Sequence, residues 1–277
     1  MLRKARAWLE LIRIGNALAI GFAAVVGYRV AGGHSLHEAL ILFLSAMMIG
    51  SFGNAINDYL DREIDLINKP WRPIPSGRIS AREALIGSIA MLVLGLTLSS
   101  MLPLTCFVIA CIAAVILFLY SWKLKKLGFL GNLTVATLSS LCIVYGGLAA
   151  SAKTARYLLP AVYAFLVILG REILKGIEDV VGDRMHGVNT IAVKYGIRTA
   201  TVVGFAILFS VVAISPLPYL LYDYNLLYLA LAIIGVDIPV IIASLIMRKP
   251  TPERAWRATR LLKAPLICGL LAFYLGC

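Results

Sequence analysis

Long apolar runs separated by polar connections dominate the chain. They occupy about 15–32, 36–58, 83–102, 104–120, 129–150, 157–177, 199–217, 226–247 and 262–276. Roughly 20 apolar residues in a helix cross a bilayer core, and about 17 suffice. Each run therefore predicts a membrane-spanning helix. The count is nine, with eight as the alternative because the fourth and ninth runs are short. Ahead of them, residues 1–13 (MLRKARAWLELIR) alternate basic and apolar positions. That pattern predicts a short amphipathic helix on the membrane surface. Basic residues before an apolar stretch also suit a signal peptide, but the many spans that follow favour a retained first helix. The fold class is an all-α polytopic membrane protein, with one transmembrane domain over 1–277.

Composition agrees. Of 277 residues 61% are hydrophobic and 14% charged, against about 25% charged in soluble domains. A net charge of +12 could suggest nucleic acid, but the placement of the cations gives another cause. All of the 26 Lys and Arg except Arg29, Lys153 and Arg156 fall in the N-terminal segment or the 2–3, 4–5, 6–7 and 8–9 connections. By the positive-inside rule these are cytoplasmic, with the N-terminus in and the C-terminus out. Trp8, Trp71, Trp122 and Trp256 lie at the same boundaries, where interfacial rings are expected. No nucleic acid is implied, and nothing points to a protein partner. Cys106, Cys111, Cys142, Cys268 and Cys277 lie in apolar runs without metal-ligand spacing, which suits packing rather than disulfides.

Acids are scarce and clustered. Eight of the 14 sit in two places: Asp58, Asp61, Glu63 and Asp65, and then Glu172, Glu178, Asp179 and Asp183. Asn57, Asp61 and Asp65 are spaced i, i+4, i+8, one stripe of a helix, with Asp58 beside Asp61. In the second cluster Glu172, Lys175, Asp179 and Asp183 form another stripe. Carboxylates this close repel one another, and at a membrane-embedded helix end the arrangement is costly. One reading is a solvated acidic helix end. The other is Mg²⁺, which takes one or two carboxylates and completes its shell with water and phosphate oxygens. Two such sets on one side of the membrane suit a diphosphate, whose charge the metals would neutralise as it leaves. Arg72, Arg78, Lys123 and Lys125 are candidates for the remaining oxygens. Connections 59–82 and 178–198 are longer than a plain connector needs, and Pro70, Pro73, Pro75 and Gly77 forbid a continuing helix in the first. They predict a partly rigid cap. A short similarity between 56–62 (INDYLDR) and 177–184 (IEDVVGDR), with one gap, hints at internal duplication.

At these residues the chain resembles the UbiA superfamily of intramembrane prenyltransferases. The motifs that carry the resemblance are NDxxDxxxD at 57–65, RPIPSGR at 72–78 and DxxxD at 179–183. Lesser matches are Arg13 with Asn16, Tyr120 with Lys123 and Lys125, and Gly131 with Asn132. The resemblance implies nine helices around a lipid-open cavity, with Mg²⁺ at Asn57, Asp58, Asp61, Asp65, Asp179 and Asp183. Asp65 lies a turn further out and meets metal through water. The substrate is an isoprenyl diphosphate, ionised to an allylic cation that the acceptor captures. Arg13, Asn16, Arg72, Arg78, Tyr120, Lys123, Lys125 and Lys175 are the implied substrate contacts. Tyr120 and Tyr145 could face the cation or simply pack. REILKGIEDVVGD and RPIPSGRIS are similar to the archaeal branch that adds a second geranylgeranyl chain to geranylgeranylglyceryl phosphate, where Lys175 would hold the acceptor's phosphate. Branches that prenylate 4-hydroxybenzoate or related quinone precursors are the alternative. Gly176 stands where many archaeal relatives carry an acid, Met185 and His186 stand where many relatives carry a charged or small residue, and His186 reads as a loop residue rather than a base.

A different class, the ion-coupled transporter, is suggested by Asp237 in mid-span beside Pro239. Transporters bind near the midplane at broken helices, whereas both acidic clusters lie at helix ends. Asp237 therefore reads as a polar residue bonded to a neighbouring helix. The DGxxAR signature of CDP-alcohol phosphotransferases is absent.

Overall fold

The computed structural model describes residues 2–150, 154–185 and 187–277. Lys153 and His186 lie outside them. The described residues are helical with no strands, and they form two compact units.

The first unit comprises Met1–Lys123 and Cys142–Thr154. It contains α1 (Leu2–Leu11), α2 (Ile14–Val30), α3 (Leu36–Leu60), α4 (Arg62–Asn68), α5 (Ala81–Ser99), α6 (Leu104–Trp122) and the C-terminal part of α7 (Phe129–Ala149). Local signals set the starts. Ser35 accepts from the Glu38 amide to open α3. Ser80 and Glu83 form a reciprocal capping box at α5, which satisfies two otherwise orphaned amides. The surface helix expected over 1–13 is α1, bent 51° from α2, with Ala7 and Leu11 buried and Arg3, Lys4 and Arg6 exposed. The bend is at Arg13, whose φ of 52° is left-handed, a conformation that costs a non-glycine residue about 1–2 kcal/mol. Ala7 and Leu11 pack with Ala55, Ile79 and Ala84, so α1 also seats the end of the proline-rich segment.

Small residues let helices meet backbone to backbone. A Cβ on Gly27 would lie 1.9 Å from the Ile143 carbonyl oxygen, and one on Gly146 1.7 Å from that of Ala24. In a membrane, where tails are as apolar as leucine, such contact is a main source of helix association. Tyr145 is buried, its hydroxyl 3.0 Å from Ser45 Oγ and 3.1 Å from Ser99 Oγ, tying α7 to α3 and α5.

The second unit comprises Leu124–Leu141 and Ala155–Cys277. It holds α8 (Leu158–Glu178), α9 (Val180–Met185), α10 (Ile191–Tyr195), α11 (Ile197–Ile214), α12 (Leu217–Leu221), α13 (Leu226–Ala232), a π-helical turn at Ile233–Asp237, α14 (Ile238–Ile246), α15 (Pro252–Leu261) and α16 (Ala264–Gly276). Leu169, Ile173, Leu174, Ile177, Leu208 and Val240 are central to its core. Pro216 and Pro218 have no N–H, so the carbonyls of Val212 and Ile214 lose their helical donors. Ser215 Oγ, 3.0 Å away, donates to the first and the Tyr163 hydroxyl to the second. Asp237 joins this network through Oδ2, 2.8 Å from Ser215 Oγ. It is thus bonded to the neighbouring helix, as the sequence reading expects.

Among the described residues seven helices are long and apolar enough to cross a membrane, or eight if α1 and α2 count as one bent span. Nine crossings are not shown. The run at 157–177 is helical as α8, but Arg171, Glu172 and Lys175 charge its last turns. α15 fills most of the connection at 248–263 and is capped by Thr251.

Candidate functional site

The first acidic stripe is built where α3 stops. Asp61 ends α3 and precedes α4 with φ −87° and ψ 0°. The hydrogen bonds run through the break, from the Asp61 amide to the Asn57 carbonyl and from the Asp65 amide to the Asp61 carbonyl. Asn57, Asp61 and Asp65 thus keep their i, i+4, i+8 alignment, and Asn57 Nδ2 donates to Asp61 Oδ2 at 3.3 Å.

Asp58 and Asp65 are each only 4% exposed, so their charges require partners. Two arginines supply them. Arg13 Nη2 bonds Asp58 Oδ1 at 2.9 Å, while its Nη1 bonds Asn54 Oδ1 at 3.2 Å. Asn54 also donates to the Ile12 carbonyl. These contacts hold Arg13 in its left-handed conformation. Arg72 Nη1 lies between two acids, 3.1 Å from Asp58 Oδ1 and 2.5 Å from Asp65 Oδ2. The loop that carries Arg72 folds on itself, with Ser76 donating to the Arg72 carbonyl and Gly77 turning at φ 68°. Arg78 does not join the acids: it pairs with Glu10 at 2.6 Å and donates to the Trp71 carbonyl. Asn16 is exposed and Tyr120 half-buried, and the Lys123 ammonium lies 4.3 Å from the centre of the Trp122 ring.

The second stripe repeats the device. Asp179 ends α8 with φ −91° and ψ 5°, and α9 begins at the next residue. The Asp183 amide then bonds the Asp179 carbonyl. Asp61 with Asp65 and Asp179 with Asp183 are therefore equivalent by backbone geometry. The pairing of 56–62 with 177–184 by sequence sets Asp58 against Asp179, three residues out of this register. Upstream, Arg171 Nη1 bonds Glu172 at 2.8 Å and Lys175 lies 3.9 Å from the same carboxylate. Lys175 and Asp179 are exposed, and Lys125 and Asp183 half-buried. Gly176 faces Thr190, with room for a Cβ at 3.4 Å.

Three contributors were not singled out by sequence: Asn54, Glu10 and Thr259. Asn54 falls on the stripe, one turn before Asp58, so its signal was present. Glu10 reaches Arg78, and Thr259 donates to Glu178 at 3.0 Å; nothing local marks either.

Among the described residues no three His, Cys, Asp or Glu side chains converge closely enough to hold an ion by themselves. The donor chemistry nevertheless fits a hard divalent cation. Arg72 Nη1 acts as a stand-in cation bridging two buried carboxylates, and Mg²⁺ needs only one or two carboxylates when phosphate and water complete its shell.

A sequence model of the UbiA prenyltransferase family matches residues 17–266. The digeranylgeranylglyceryl phosphate synthase of Saccharolobus solfataricus is 43% identical over 98% of this chain and 96% of its own. That of Methanocaldococcus jannaschii is 34% identical over 99% and 97%. A solved digeranylgeranylglyceryl phosphate synthase superposes with a TM-score of 0.78 at 35% identity, covering 99% of this chain and 98% of that one. A UbiA homologue from Archaeoglobus fulgidus, bound to DMAPP and Mg²⁺, shares the fold at a TM-score of 0.71 and 19% identity, over 98% and 99%.

Proposed function

We propose that this chain, which belongs to the UbiA prenyltransferase family, transfers a geranylgeranyl group from geranylgeranyl diphosphate to the free hydroxyl of geranylgeranylglyceryl phosphate, a step of archaeal ether-lipid synthesis. It is a prenyltransferase and a membrane protein with multiple apolar helices. The observation that carries the acceptor is 43% identity along almost the whole of an enzyme named for that product.

The chain acts as one transmembrane domain with its active site at the cytoplasmic face, a side supported by the bias of Lys and Arg. Asn57, Asp58, Asp61 and Asp65 hold one part of the metal complement, and Asp179 and Asp183 another. Mg²⁺, when bound, supplies positive charge that stabilises the departing diphosphate. Arg72 exchanges its bonds to Asp58 and Asp65 for bonds to diphosphate oxygens, which its planar fork matches. Arg13 stays on Asp58 and keeps that carboxylate aimed. Arg78, Lys123 and Lys125 add cationic donors, and Asn16 and Tyr120 line the prenyl site. Lys175 binds the acceptor's phosphate. The C1–O bond of the diphosphate breaks, the acceptor oxygen forms the ether bond to C1, and the hydroxyl proton is released. Apolar helix faces keep water from the allylic cation.

The test offers purified protein, with Mg²⁺ and labelled geranylgeranyl diphosphate, a choice of geranylgeranylglyceryl phosphate or 4-hydroxybenzoate. Labelled ether lipid is expected. Product with the aromatic acid alone would replace this acceptor by a quinone precursor.

A further inference from the structure

In the second unit, where α8 ends and α11 begins, a cleft of about 1030 Å³ opens between α9, α10, the first turn of α11 and the connection from α14 to α15. Gly196, at φ 90°, ends α10 and starts α11 and so turns the chain around its rim. Four cations line it: Arg184, Arg198, Arg248 and Lys249. All four are exposed, and none is paired with a carboxylate among the described residues. Among the described residues no acid lines the cleft. The nearby Glu253 is taken by Arg257 at 2.6 Å. By contrast Arg13, Arg72, Arg78 and Arg171 all have carboxylate partners.

The positive-inside rule accounts for cations on this side but not for their gathering around a concavity. Beside them Met185 is 79% and Tyr195 60% exposed. A cleft with a cationic mouth and apolar walls at a membrane boundary matches an anionic amphiphile, because the phosphate meets the guanidinium groups while the glyceryl and upper hydrocarbon-chain segments cover the apolar side chains. Asp179 and Asp183 do not line it. We propose that this cleft is a headgroup site for an anionic glycerophospholipid of the surrounding bilayer. The shared chemistry is a phosphate ester or free phosphate, and the lipid is favoured because of the exposed Met185 and Tyr195.

The test measures retained lipid by native mass spectrometry on full-length protein, without substrates, in micelles doped with phosphatidylglycerol or phosphatidylcholine. Wild-type protein is expected to retain phosphatidylglycerol preferentially. Arg198→Gln with Arg248→Gln is expected to weaken that binding about 30-fold, from roughly fivefold per cation at a membrane surface. Arg198→Lys with Arg248→Lys should keep most of it. Equal retention of the two lipids, or unchanged retention in the glutamine variant, would overturn the site. Complete displacement of the lipid by millimolar inorganic phosphate would overturn the lipid assignment in favour of a free-anion site. If the glutamine variant does not fold, salt dependence on wild-type protein decides. Retention should fall several-fold between low and high salt as screening grows, and salt-insensitive retention would refute the proposal.

Discussion

Arg72→Met removes a side chain that bridges Asp58 and Asp65. Both acids are almost fully buried and the Arg72 side chain is 21% exposed. Breaking a buried pair by deleting one partner costs about 3–5 kcal/mol. Arg13 remains on Asp58, and the partial exposure of Arg72 lets water reach the site. About 2–3 kcal/mol is therefore the expected loss in metal-free protein. At roughly 2 °C per kcal/mol for a chain of this size, the thermal midpoint should fall about 5 °C in EDTA. Mg²⁺ should then restore stability, since Asp65 has lost its arginine partner and Asp58 keeps only Arg13. Wild-type protein should respond less, because Arg72 competes with the metal until diphosphate draws it away. The assay is thermal unfolding in detergent across a Mg²⁺ series, with and without inorganic diphosphate. If the variant melts with wild type in EDTA, or if Mg²⁺ shifts both equally, Arg72 is not the counter-ion of these acids.

Other outcomes follow from the same geometry. Lys175→Ala should raise the acceptor's KM about tenfold, the worth of a charge-assisted bond to phosphate, with the diphosphate's KM unchanged; an unchanged acceptor KM removes that role. Gly146→Ala should cost more than about 3 kcal/mol, because the added Cβ would meet the Ala24 carbonyl rather than a yielding side chain, and a wild-type melting curve would refute the close approach. Asp237→Asn should keep prenyl transfer within about twofold, since an amide can still bond Ser215. Complete loss would give Asp237 a part in the reaction.

The spans were legible because a bilayer demands long apolar helices whatever their neighbours do. Thus α3, α5, α6 and α7 lie within a few residues of the runs that predict them. Asp61 and Asp179 were legible as a periodic stripe, but not as the points where α3 and α8 break, since the helical spacing survives the break. The pairing of Arg72 with Asp58 and Asp65, and of Arg78 with Glu10, depends on how a proline-rich loop folds onto α1. Spacing along the chain carries no record of that. Nor does it mark the left-handed turn at Arg13, where tertiary bonds to Asn54 and Asp58 oppose local preference. The π-helical turn before Pro239 is equally silent, although Pro216 and Pro218 do announce the orphaned carbonyls that Ser215 and Tyr163 satisfy.

Under the proposed function, the acidic stripes at 57–65 and at 179–183 are each required for a Mg²⁺-dependent prenyl transfer to a glycerophosphate lipid. Its most direct measurement reconstitutes wild-type, Asp61→Ala and Asp179→Ala proteins in vesicles with geranylgeranyl diphosphate and geranylgeranylglyceryl phosphate, and counts diphosphate and ether lipid together. Wild type should release the two in equal amounts with Mg²⁺ and neither in EDTA, and each variant should lose about 10²–10³-fold, the effect of removing one preorganised charge-stabilising group. Full activity in either variant, or turnover unaffected by EDTA, would contradict it.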